Sequence, residues 1–166
     1  MDHKARSVAI LIFDGVELLD FAGPFEVFSS ARVSPSGNDR LLDVFTVAES
    51  MEPVTCNNPL TVMPKYTLEN CPHADILVIP GGQGTRSAVN RPALIRWIAE
   101  RAGAAELLTS VCTGSFLLAK AGLLDGKATT THWGSIGRMR NDFPELDVLE
   151  NVRWVDQGDV ICSAGV

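Results

Sequence analysis

No apolar run in this 166-residue chain approaches the ~20 residues needed to cross a bilayer. The opening Met1-Asp2-His3-Lys4-Ala5-Arg6 also lacks the long apolar segment of a secretion signal. A cytoplasmic location without membrane attachment is therefore expected. Positive charge is short as well, with 14 Lys and Arg against 20 Asp and Glu and a net charge of −6. That balance argues against a domain that grips nucleic acid or an anionic membrane by itself. Cysteine is scarce, and Cys56, Cys71, Cys112 and Cys162 show no C-x-x-C pair and no metal-site spacing. In a reducing compartment they are four free thiols, and neither a metal nor a cofactor is expected. Phosphate-cradling signatures are missing too. Gly81-Gly82-Gln83-Gly84 lacks a Gly-Lys-Ser/Thr ending, and no G-x-G-x-x-G occurs. Without repeats or linkers, the length suits a single domain with a full core.

What the chain does have is a set of short β-branched runs without alternation, the mark of strands buried on both faces. Ser7 to Phe13, Leu42 to Val47, Asp75 to Ile79 and Glu106 to Val111 are of this kind. Between them, helices are expected from Pro24, placed in a first turn, over Pro92 to Ala102 and over Gly114 to Ala121. A less regular helix is expected near Ser135 to Asn141. Val54-Thr55 with Leu60 to Met63, and Trp154-Val155 with Val160-Ile161, read as hairpins, and Ala128 to Thr131 reads as a short strand. Ser163-Ala164-Gly165-Val166 resembles the lead-in to a further helix. One domain over 1–166, lacking its final C-terminal helix, is therefore expected. Alternating strands and helices imply βαβ units and a mostly parallel sheet covered on both faces. Ligands of such sheets bind outside the carboxyl ends of the strands. Asp14-Gly15, Pro80-Gly81-Gly82 and Val111-Cys112 all fall at that edge.

Cys112 stands out among the thiols because it sits at a strand-to-helix corner, where the N–H groups of the following helix favour a thiolate. It is a candidate nucleophile, although most free cysteines are simply small buried hydrophobes. The other three read as structural. Thr113 offers a hydroxyl to substrate or water, or caps the helix. His132 is read as a base or as packing beside Trp133. His3 and His73 read as loop residues, and Trp97 and Trp154 as core or interface.

Several segments together resemble the ThiJ/PfpI superfamily. They are Ile12-Phe13-Asp14-Gly15, Leu19-Asp20-Phe21-Ala22-Gly23-Pro24, Pro80-Gly81-Gly82, Ser110-Val111-Cys112-Thr113-Gly114, Ala121-Gly122-Leu123-Leu124-Asp125-Gly126 and Thr130-Thr131-His132-Trp133. Two branches are most similar, the bacterial isocyanide hydratases and the amino-terminal sensor domains of AraC-type regulators. The resemblance implies an α/β flavodoxin-like three-layer sandwich, class I glutamine amidotransferase-like, and a homodimer acting on or sensing a small molecule. It also implies that Asp20 lies beside Cys112, so that a protonated Asp20 would support a thiolate and the two would titrate as a unit. Gly81 or Gly82, with the Thr113 N–H, would then stabilise developing negative charge, unless the glycines only make a tight turn. The hydratase branch implies conversion of isocyanides to N-substituted formamides through a thioimidate, with Cys112 as nucleophile and Asp20 as proton donor. The alternatives are a non-catalytic sensor, a glyoxalase- or deglycase-like enzyme, or a redox sensor oxidised at Cys112. Two departures bear on these: protease-like members carry histidine at Thr113, and the deglycase-like branch carries glutamate at Asp20.

Overall fold

In chain order the elements are β1 (Arg6–Leu11), α1 (Leu18–Ser30), β2 (Leu42–Ala48), β3 (Val54–Thr55), β4 (Thr61–Val62), β5 (Tyr66–Thr67), β6 (Ile76–Ile79), α2 (Thr85–Ala88), α3 (Pro92–Ala102) and β7 (Leu107–Val111). Then follow α4 (Ser115–Lys120), β8 (Ala128–Thr129), α5 (Ile136–Asp142), β9 (Asp147–Val148), β10 (Trp154–Asp156) and β11 (Val160–Ser163). These come from a computed structural model, which describes residues 5–34 and 39–165. His3 and part of the loop from Ala31 to Arg40 lie outside the described residues.

Seven strands form one sheet in the order β10-β11-β7-β6-β1-β2-β5, and every pairing within it is parallel except β10 with β11. The β-branched runs explain the choice. Val8 to Leu11 are fully buried, as a strand covered on both faces requires. α1 packs on β1 and β2, while α4 packs on β6 and β7 with α3 against it. The chain leaves β1 towards β2 on one side and returns as β6 on the other. Such a reversal opens a crevice at the carboxyl ends of the strands. Both expected hairpins form, β3 with β4 and β10 with β11.

One helix boundary differs from expectation. α1 starts at Leu18, so Pro24 lies in its interior rather than in its first turn. A proline there removes the hydrogen bond to the carbonyl four residues earlier, which belongs to Asp20. Nothing in the sequence marks the true start, because Glu17 at the N-cap makes no side-chain capping bond. Trp97 is core, its Nε1 donating to the Leu68 carbonyl at 3.0 Å. Trp154 and Trp133 are exposed, so neither belongs to the core.

Candidate active site

Strand register assembles the site. Ile79 on β6 pairs with Ser110 on β7, and Ser163 on β11 pairs with Val111. The residues just past these strand ends, Gly81, Cys112 and Gly165, are thereby drawn into one corner. Cys112 takes φ +57, a left-handed conformation costing roughly 1–2 kcal/mol for a residue with a Cβ. Such strain persists only where the surroundings over-determine it. Here the Cys112 carbonyl accepts from Ser115 Oγ at 3.2 Å and Thr131 Oγ1 at 3.1 Å. Thr131 was not singled out as a site residue from the sequence. Its signal, a hydroxyl at the end of a threonine run, acquires meaning only in three dimensions.

Gly165 closes the corner from below, with φ +79. A Cβ at this position would stand 2.5 Å from that of Cys112. Gly165→Ala is expected to destabilise the fold by about 2 kcal/mol, read as the shift of a urea unfolding midpoint. It should also displace Cys112, read as a changed rate of thiol alkylation. An alanine variant of wild-type stability would show the corner to be loose.

Asp20 projects from the first turn of α1 and is 1% exposed. Its Oδ2 accepts the Gly81 N–H at 3.1 Å, bridging 61 positions of sequence, while Oδ1 is buried without a nitrogen or oxygen donor. The Cys112 thiol lies close enough to interact with the carboxyl group. Burial pushes the Asp20 carboxyl up to about 6, and the thiol and the Gly81 N–H only partly oppose this. Cys112 is 7% exposed yet stands apart from the contiguous apolar core. Burial, and next the Asp20 charge, push its thiol up to about 12 against the pull of the Thr113 N–H.

The expected resting thiolate is thus corrected. The sequence displays the helix end but neither the desolvation nor the carboxylate. The pair gives up one proton near pH 6 and retains the other, because a second negative charge in this corner is too costly. Once singly ionised it has two tautomers, carboxylate with thiol and carboxylic acid with thiolate, and it titrates as a unit.

The other candidates cluster here, with some groups already engaged. The Gly82 N–H donates to Thr113 Oγ1 at 3.0 Å, and Thr85 Oγ1 approaches the same oxygen at 3.2 Å. The Thr113 hydroxyl also donates to the Gly82 carbonyl at 3.2 Å. The Thr113 hydroxyl therefore ties the Gly82 turn to the elbow. The Gly81 and Gly82 N–H groups are occupied by Asp20 and Thr113. Of the expected backbone donors, the Thr113 N–H is the one turned to the sulfur. His132 is half-buried; its Nδ1 accepts the Gly134 N–H at 3.2 Å, and its ring lies 5.3 Å from that of Trp133. It caps its own turn while lining, with Cys112, Thr113, Glu17, Asn57 and Arg138, a pocket of about 140 Å3. Sequence reading missed Glu17, Asn57 and Arg138, since nothing local distinguishes them from surface polar residues. Among the described residues no cluster of three His, Cys, Asp or Glu side chains is placed to hold a metal. No helix among them is long and apolar enough to cross a membrane.

A doubly wound parallel sheet carrying a cysteine on a strained elbow, opposite a buried carboxyl group, defines the flavodoxin-like, class I glutamine amidotransferase-like architecture. Within it, this chain belongs to the DJ-1/PfpI family, whose profile matches residues 6–166. The isonitrile hydratase of Pseudomonas putida is 37% identical over 129 residues, covering 78% of this chain and 53% of that protein. The HTH-type transcriptional regulator GbdR of Pseudomonas aeruginosa is 28% identical over 164 residues, 99% of this chain and 44% of the regulator. A crystal structure of a ThiJ/PfpI family protein from Pseudomonas syringae superposes with a TM-score of 0.84 at 32% identity, covering 98% of this chain and 64% of that one. The chain thus spans only about half the length of the hydratase and the regulator.

Proposed function

We propose that this protein is a cysteine-dependent hydratase that converts isocyanides to N-substituted formamides. The observation that carries it is the buried Asp20–Cys112 pair, which holds one mobile proton between a nucleophile and an acid. Asp20 takes the thiol proton as Sγ bonds to the terminal isocyanide carbon, then delivers that proton to the same carbon, giving a thioimidate. Water adds to the thioimidate carbon, one of its protons passing to nitrogen by way of Asp20. The C–S bond then breaks, the hydroxyl proton returns to sulfur, and the formamide leaves. The sum is one isocyanide plus one water. The likeness to isonitrile hydratase at 37% identity supports this reading. Incubating the purified protein with a small aryl isocyanide and following formamide formation tests it; no turnover above background ends it.

A homodimer belongs to the same proposal. Leu19 and Val27, 58% and 67% exposed, recur on one face of α1, an apolar stripe suited to a second copy. Sedimentation velocity is expected to give twice the chain mass, and a monomer at micromolar concentration would refute the stripe's role.

The second reading is a ligand-sensing domain without chemistry, favoured by alignment with GbdR over 99% of this chain and by a thiol held protonated. Tight binding of a small molecule with no formamide produced would select it.

A further inference from the structure

A second cleft, of about 460 Å3, adjoins the Cys112 pocket, and the two share Thr85, Arg86 and Arg138. Lys120, Asp142 and the rings of Phe116 and Phe143 complete much of its wall. Three cations against one carboxylate invert the balance of a protein whose net charge is −6. The Arg138 guanidinium lies over Phe116, 3.9 Å from the ring centroid. Its Nε is buried without a hydrogen-bond acceptor, the Asp142 Oδ2 standing off at 4.0 Å. A desolvated charged donor left unpaired is costly. Among the described residues, neither Arg86 nor Lys120 has a carboxylate within ion-pair distance. Burial and the nearby Arg86 charge together hold the Arg138 guanidinium below its usual basicity, so two cations are kept close against their repulsion.

We infer that Arg138 and Arg86 recognise a carboxylate, so that the ligand of this protein is a small organic acid. Its apolar body would lie against Phe116 and Phe143, and its far end would reach Cys112. A planar guanidinium matches a planar carboxylate edge to edge. Glu17 and Asp142 also face these pockets and oppose a dianion more than a monoanion, which favours carboxylate over phosphate. Only the event at Cys112 rests on the hydratase proposal; recognition of the acid does not.

Calorimetry on the full chain tests recognition with benzoate, its neutral isostere benzamide, and inorganic phosphate. Benzoate is expected to bind at least about 10-fold more tightly than benzamide. Arg138→Met and Arg86→Met should each bring that ratio towards one, while Arg6→Met, whose arginine pairs with Glu106 at the other end of the sheet, should not. Equal binding of benzoate and benzamide overturns the inference, as does phosphate binding as well as benzoate or an unchanged ratio in both cleft variants. Turnover separates the two claims. Equal kcat/KM for 4-isocyanobenzoate and phenyl isocyanide sinks the organic-acid assignment and leaves the hydratase standing. A benzoate preference with neither isocyanide hydrated sinks the hydratase and leaves the acid site.

Discussion

Cys112→Ala is expected to lower hydration of an aryl isocyanide by at least about 10³-fold, to the level of the uncatalysed background. No other cysteine can take over, because among the described residues Cys112 is the one that lines the pocket shared with Thr113 and His132. The thioimidate cannot form without a thiol, so the loss should fall on kcat, with KM changed little. Cys112→Ser keeps the shape and a proton for Asp20 to move, yet its oxygen is a far poorer nucleophile here and should be nearly as inactive. Mass spectrometry of the wild-type protein quenched during turnover should show an adduct of the isocyanide mass, absent from both variants. Turnover in Cys112→Ala within a factor of about ten of wild type would remove covalent catalysis from the account.

Asp20→Asn is expected to cost about 10²–10⁴-fold in kcat/KM, and its pH profile distinguishes proton transfer from mere packing. The wild-type profile should rise with pH through an apparent pKa near 6, where the pair becomes singly ionised, and then level off, since the thiol is pushed up to about 12. In the asparagine variant that acid limb should vanish. Stability should move the other way. The Asp20 carboxyl titrates near 6 in the folded protein and near 3.9 in an unfolded chain, so the folded state binds more protons between those values. The contribution of this group to wild-type stability therefore falls as pH rises from about 4 to about 6. Asparagine, whose side-chain oxygen can still accept the Gly81 N–H, escapes that cost. Asp20→Asn should match wild type below pH ~4 and exceed it by roughly 2 kcal/mol above pH ~7, the order expected for a shift of about two pKa units. Urea unfolding at the two pH values measures this. A variant less stable than wild type at neutral pH would mean that the ionised carboxylate is stabilised, and would undo the shared-proton picture.

Local chemistry was legible wherever it was strong. α3 runs from Pro92 to Ala102 as expected, because proline at the first position and Gly103 at the end punctuate it. The buried strands declared themselves by β-branched runs, and the cysteine corner by its place between a strand and a helix. The start of α1 was illegible because Glu17 makes no cap and Pro24 imitates one. The strands β5 and β9, two residues each, are too short for any periodicity. Of the site, Asp20, Gly81, Gly82, Cys112, Thr113 and His132 are named from the sequence; Gly82, Cys112, Thr113 and His132 line one pocket, and Asp20, bonded to the Gly81 N–H, is buried beside Cys112. Their meeting, however, came from family resemblance and not from spacing.

The sequence by itself determined that this chain builds a mostly parallel sheet and places a cysteine at its carboxyl edge, since buried strands and turn residues act over a few neighbouring positions. Tertiary structure alone decided the state of that sulfur. Strand register and the placement of α1 bring Gly81, Gly165 and Asp20 to its corner from remote parts of the chain, and burial together with one carboxylate outweighs the Thr113 N–H. Desolvation and Coulomb interaction depend on distance in space, which a linear order of residues does not contain.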